Sequence, residues 1–236
     1  MIGDGQFAAQ LGTVESILRR INILAERQQF PNKALGAADF RGLPYRGIYE
    51  KCVREFAYDF RLSDQSLMLF VKCGDNINNG GLCFSYYEPP AEVLPYEEFV
   101  AAELGLSPSD SGYQKTIDSW GDELRFDYEQ YVSSAELKNS VTPLRYDCKA
   151  SDYRPGIHPA SHVHFGFATD IRVGTRRVLN PLSFVLFVLR QRYPSAWSEL
   201  GKEADFRVWC RNVRENLDLI APRYWDSPDE LEMFFC

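Results

Sequence analysis

Residues 182–193 read Leu-Ser-Phe-Val-Leu-Phe-Val-Leu-Arg-Gln-Arg-Tyr, a segment that is apolar nearly all round. A helix of that kind has no face to offer water and has to sit inside the fold. Asn180-Pro181 just ahead of it is a strong start signal, a cap residue followed by proline at the first helical position. No apolar run reaches the roughly 18 residues that cross a bilayer. The chain must therefore supply other elements to wrap this helix.

The middle of the chain supplies strands. Phe56, Tyr58, Phe60 and Leu62 alternate, Ser63-Asp-Gln-Ser66 is a turn, and 67–72 returns, which predicts a hairpin. Further strands are predicted over 82–87, 124–132, 142–148, 161–167 and 171–173. A helix competes for 124–132. Ahead of the strands, Leu11, Val14, Ile17, Leu18, Ile21 and Leu24 recur at helical spacing, predicting a helix over 11–29 with Thr13 as a cap. Residues 30–47 read as a loop. Helices are predicted over 96–104, 110–120 and 202–219. The pattern is α+β: a mostly antiparallel sheet with flanking N- and C-terminal helices, read as one domain over 1–236.

All three histidines fall within seven residues: His158, His162 and His164. Imidazole exchanges protons near neutral pH and is the commonest protein metal ligand. In a strand over 161–167, His162 and His164 share one face and Val163 and Phe165 take the other. Ser161 and His162 then face opposite ways, which argues against a serine nucleophile. Pro159 suits a turn that folds His158 back toward the pair. Hairpin links would set the strand carrying Arg145 and Asp147 beside the histidine strand. One face would then hold a cation, a carboxylate and two imidazoles. The bland alternative is two histidines hydrogen-bonded on a half-exposed strand.

Charge marks the same region. The chain carries 26 Lys+Arg against 33 Asp+Glu, yet 145–192 is net +5 and the remainder −12. Seven of the eight cations in that segment are arginine, whose planar fork suits phosphate. Arg154, Arg172, Arg176 and Arg177 are candidate substrate-binding residues. Six scattered cysteines, with no Cys-x-x-Cys pair, read as reduced thiols of a cytoplasmic protein. Cys148 reads as a small buried residue sooner than as a nucleophile. The N-terminus has no basic leader followed by an apolar stretch. No phosphate-binding Gly-x-x-x-x-Gly-Lys loop, Rossmann glycine run, Gly-x-Ser-x-Gly elbow or His-Glu-x-x-His helix occurs. The turn-rich Gly74–Gly81 run does not match a calcium loop.

Leu144-Arg-Tyr-Asp147, His158-Pro-Ala-Ser-His-Val-His-Phe-Gly166 and the helix led by Asn180-Pro181 resemble the uncharacterised bacterial domain of unknown function numbered 2290. That family supplies no activity. Arg-Tyr-Asp followed by a histidine cluster is also similar to small bacterial toxin nucleases, although their Asn and Lys are missing here. That second resemblance implies a toxin or phage-defence effector.

These features predict a nucleic-acid phosphodiesterase, RNA before DNA. His158, His162, His164, Arg145 and Asp147 are its catalytic residues, and the three histidines are also candidate ligands for Mn, Mg or Zn. Asp147 or Asp152 would complete such a ligand set. Nucleic acid would meet the basic 145–192 segment. A non-enzymatic binding or sensor subunit is the alternative, with Tyr45, Tyr49, Tyr86 and Tyr87 as a protein-partner surface. A metallo-hydrolase of a small molecule is a third reading.

Overall fold

The computed structural model describes residues 2–33, 39–74, 80–107, 109–167, 171–231 and 234. Its centre is one antiparallel sheet in which every strand pairs with its neighbours in sequence. The strands are β1 (Leu24–Arg27), β2 (Phe60–Leu62), β3 (Leu67–Cys73), β4 (Gly81–Tyr87), β5 (Leu144–Cys148), β6 (Ser161–Phe165) and β7 (Arg172–Gly174). The architecture is α+β with helices at both ends, as the sequence pattern predicts.

One sheet face carries the main core. Phe60, Phe70, Phe84, Tyr146 and Val163 project into it and meet α1 (Asp4–Arg20) and α5 (Pro181–Arg192). The apolar helix is thus buried, with Phe184, Val185, Val188 and Leu189 fully covered. Its start is fixed as the sequence predicts. The Ser183 N–H donates to Asn180 Oδ1, and the Asn180 N–H donates to Ser183 Oγ. Helices α6 (Pro194–Gly201) and α7 (Ala204–Glu215) close the same side; α7 lies within the helix predicted over 202–219, and α6 ahead of it is not predicted.

Helix α1 starts earlier and stops sooner than the predicted 11–29. Asn22 takes a left-handed φ of 55°, which ends the helix, and Leu24 enters the sheet opposite Leu62. The apolar period runs past Arg20 because Leu24 packs against the core from a strand. Thr13 lies inside the helix with its hydroxyl on the Ala9 carbonyl, so it is no cap.

Helix α2 (Tyr45–Arg54) occupies part of the predicted loop and the approach to the hairpin. Tyr45, Ile48, Tyr49 and Cys52 face inward at helical spacing. They cover the β2–β4 half of the second sheet face together with Tyr58 and Leu67. The proposed tyrosine surface is therefore interior. Tyr45, Tyr49 and Tyr86 are buried and Tyr87 is partly so. The Tyr45 hydroxyl donates to the Glu88 carbonyl at 2.6 Å and the Tyr49 hydroxyl to the Gln65 carbonyl at 2.6 Å.

Between β4 and β5 the chain leaves the sheet. Helix α3 (Tyr96–Leu104) matches its prediction, but α4 (Tyr113–Ser134) replaces a predicted short helix and strand. Leu124, Phe126 and Tyr128 alternate in sequence, yet only Leu124 and Tyr128 are buried while Phe126 is 61% exposed. The four-residue spacing wins over the two-residue one because α3 offers a helical partner through Phe99 and Val100. The turn-rich 74–81 run lies largely outside the described residues.

Candidate functional site

Strand alternation leaves the β5–β7 half of the second face to polar residues. Register sets Arg145 opposite His164 and Asp147 opposite His162 on β5 and β6. On β4, Ser85 meets Arg145 and Cys83 meets Asp147. On β7, Arg172 meets His164 and Gly174 meets His162. Two cross-strand rows result: Ser85–Arg145–His164–Arg172 and Cys83–Asp147–His162–Gly174. The predicted adjacency of the Arg/Asp and His strands is thus present.

The histidines are not half-exposed. His162 is 2% and His164 8% accessible. His162 Nδ1 lies 2.7 Å from the Pro159 carbonyl, which can only accept, so Nδ1 carries the proton. The lone pair of neutral His162 is therefore on Nε2. That atom lies 2.8 Å from His164 Nε2, which in turn lies 3.2 Å from Asp147 Oδ2 and 3.1 Å from an Arg145 terminal nitrogen. Arg145 Nε donates to Asp147 Oδ2 at 2.8 Å.

Burial pushes the His162 imidazole down to about 4, with His164 adding to the shift and Asp147 opposing it. At Asp147 burial pushes the other way, but hydrogen bonding to His164 and the Arg145 charge prevail and hold the carboxyl at about 2. Burial, helped by the Asp147 charge, pushes the Cys83 thiol up to about 12.

His158 is folded back beside the pair, as the Pro159 turn predicts. Its ring centroid is 4.8 Å from that of His162, edge to face. Its Nδ1 is buried and takes no hydrogen bond among the described residues. The loop is pinned at both ends. The Arg154 N–H donates to the His158 carbonyl at 2.9 Å, and the His158 N–H donates back at 2.8 Å. Gly156 sits at φ 64°, which suits a residue without a Cβ. The buried Asp229 carboxylate receives the Tyr153 hydroxyl at 2.6 Å and the Gly156 N–H at 3.0 Å.

The ligand-type atoms that converge are those of Asp147, His162 and His164, all within 4.8 Å of one another. His158 stands outside that set, unlike the predicted trio of histidines. Asp152 is exposed and pairs with Lys149 at 3.4 Å, so it does not complete the set. The arginine segment does not fold into one patch. Arg145 and Arg172 share the site face, and Arg154 is exposed on the His158 loop. Arg176 pairs with Glu230 at 3.0 Å, and Arg177 donates to the Leu217 carbonyl at 2.9 Å. Both therefore hold the C-terminal segment. Arg192 pairs with buried Glu88 across a separate cavity of about 260 Å³, whose charged groups largely engage one another.

Two contributors escape sequence reasoning. Cys83 reaches the site only through the β4–β5 register. Asp229 lies 65 residues beyond His164 and carries no local motif. Cys148 is buried on the core face, and the Ser161 hydroxyl is engaged by Tyr146 and Thr175.

The chain belongs to the family described as uncharacterized conserved protein (DUF2290), whose family model matches residues 20–217. No curated protein and no solved structure matches it.

Proposed function

We propose that this family member cleaves phosphodiester bonds of nucleic acid, RNA before DNA, at the Asp147–His162–His164 centre. The observation that supports it most is the row placing His164 between Arg145 and Arg172, directly beside the Asp147–His162 row. Cleavage needs a nucleophilic hydroxyl deprotonated, charge on the phosphate stabilised and the leaving oxygen protonated. Arg145, Arg172 and Arg154 supply cations for the phosphate. The Asp147–His162–His164 centre deprotonates the attacking hydroxyl, which is the 2′-OH in RNA and water in DNA. His158, packed edge to face on His162, supplies the proton. A toxin or phage-defence role would follow from such an activity and rests on the resemblance alone.

A second reading draws on the α3–α4 excursion. Residues 92–138 carry eleven Asp/Glu against three Lys/Arg, a net −8, and all eleven carboxylates are exposed. Trp120 and Phe126 on α4 are each 61% exposed. That surface suits a basic protein partner and would make the chain a binding subunit.

Purified protein incubated with single-stranded and structured RNA and DNA decides between them. Cleavage that disappears in Asp147→Asn and His164→Gln supports the phosphodiesterase. Intact substrates with a folded protein end that reading in favour of the binding subunit.

A further inference from the structure

We propose that Asp147 Oδ2, His162 Nε2 and His164 Nε2 bind one divalent transition-metal ion, drawn from Mn²⁺, Fe²⁺, Co²⁺ and Zn²⁺ rather than Mg²⁺ or Ca²⁺. The site is the one read above as a phosphodiesterase centre, and only the ion's task rests on that reading.

Proton counting carries the argument. His164 Nε2 has three neighbours at 2.8–3.2 Å and can offer each only one proton or one lone pair. If it is protonated, an Arg145 N–H points at its N–H. If it is unprotonated, it faces the His162 lone pair, already fixed by the Pro159 carbonyl, and the Asp147 carboxylate as well. No assignment satisfies all of these contacts, and the rings are too buried for bulk water to relieve them. A cation at the common point accepts all three lone pairs together.

Spacing is close to that of a metal site. Metal–nitrogen and metal–oxygen bonds of roughly 2.0–2.2 Å put tetrahedral ligand atoms about 3.3–3.6 Å apart. The contacts of 2.8 and 3.2 Å open slightly to reach that, and the third pair, His162 with Asp147, lies within 4.8 Å and closes on the ion. The Pro159 carbonyl on His162 Nδ1 is the outer contact that orients a ligating imidazole. Cys83 and Arg145 bond Asp147 in the same supporting manner. Two imidazoles with one carboxylate select borderline ions over hard, oxygen-seeking ones. Three protein ligands leave a position open. With Asp147 at −1 and Arg145 at +1, a bound dication leaves the site at net +2, which suits an anionic ligand such as a phosphate oxygen.

Only three histidines exist in the chain, so every histidine ring resonance reports on this locality. Zn²⁺ titrated into the EDTA-treated full chain should shift two ring signals strongly at one equivalent, and Mg²⁺ at the same concentration should not. Elemental analysis after dialysis should give one ion per chain, falling at least tenfold in Asp147→Asn and in His164→Gln. Co²⁺ should add a visible absorption band that both variants lose. Unmoved ring signals, or an ion retained equally by both folded variants, overturn the site. The wild-type titration answers the question even where a variant fails to fold. An ion that binds while RNA and DNA stay intact leaves the metal site standing and ends the phosphodiesterase reading. Cleavage in EDTA by protein that retains no ion does the reverse.

Discussion

Strands β5 and β6 carry a polar cluster on each face, and the two clusters behave oppositely. On the core face, the Leu179 N–H donates to the Tyr146 hydroxyl at 2.9 Å, and Tyr146 and Ser161 are 2.8 Å apart. Ser161 and Thr175 are 2.6 Å apart. Hydroxyls rotate to suit, so one consistent set of donors and acceptors satisfies the whole chain of groups. On the other face, Asp147, His162 and His164 admit no consistent set. A fully satisfied network rigidifies a core, whereas a partly satisfied one carries a cost that a bound ion would remove. Both clusters come from alternate residues of the same strands, so position in the sequence does not tell them apart. Only the partners do.

The largest expected effect falls on the open cluster. His164→Ala should lower cleavage by about 10²–10⁴-fold, the usual share of a lost acid–base group, measured as initial rate on RNA. Tyr146→Phe should leave that rate nearly unchanged and cost about 1–3 kcal/mol in denaturant unfolding, because the Leu179 N–H and Ser161 lose a buried partner. If His164→Ala cost as much stability and no activity, the contrast between faces would collapse. Asp229→Ala should fall between the two in its effect on the cleavage rate. It removes the acceptor for Tyr153 and Gly156, at about 1.5–3 kcal/mol, and frees the His158 loop.

Acid should also act on the open face. The folded-state pKa of His162 lies near 4, below its unfolded value near 6.5. Between those values the unfolded chain binds the extra proton, so the metal-free protein should lose stability as pH falls from 6.5 to 4. His162→Gln should flatten that segment of a thermal-midpoint profile, and Tyr146→Phe should only lower it. The smallest effect is reserved for the α4 surface. Trp120→Ala should change stability by less than about 0.5 kcal/mol, and a larger loss would place Trp120 in a core.

The histidine face was legible in the sequence because period-two alternation and hairpin order are local rules. They place Arg145, Asp147, His162 and His164 together without any long-range information. The capped helix at Asn180 was legible for the same reason. Helix α4 was not, since Leu124, Phe126 and Tyr128 satisfy a strand period until α3 supplies a partner. Helix α2 carried its signal in Tyr45, Ile48, Tyr49 and Cys52, masked by the proline and glycines before it. The arginines misled more deeply. Eight cations close in sequence scatter in space because β7, the C-terminal segment and α5 point them to different partners.

The sheet's plain neighbour-to-neighbour order sets a timetable for synthesis. Leu11, Val14, Ile17 and Leu18 of α1 leave the ribosome early, but α5, the helix that covers them, begins only at Pro181. At roughly 5–20 residues per second the first helix waits on the order of 10–30 s for its partner. Throughout that interval each new strand adds apolar surface to a face that α1 alone can cover only in part. A nascent chain stalled before Asn180 would hold all three histidines in order and still lack the lid on its core. The segment from Pro181 onward therefore decides whether the strands and helices before it become a stable body.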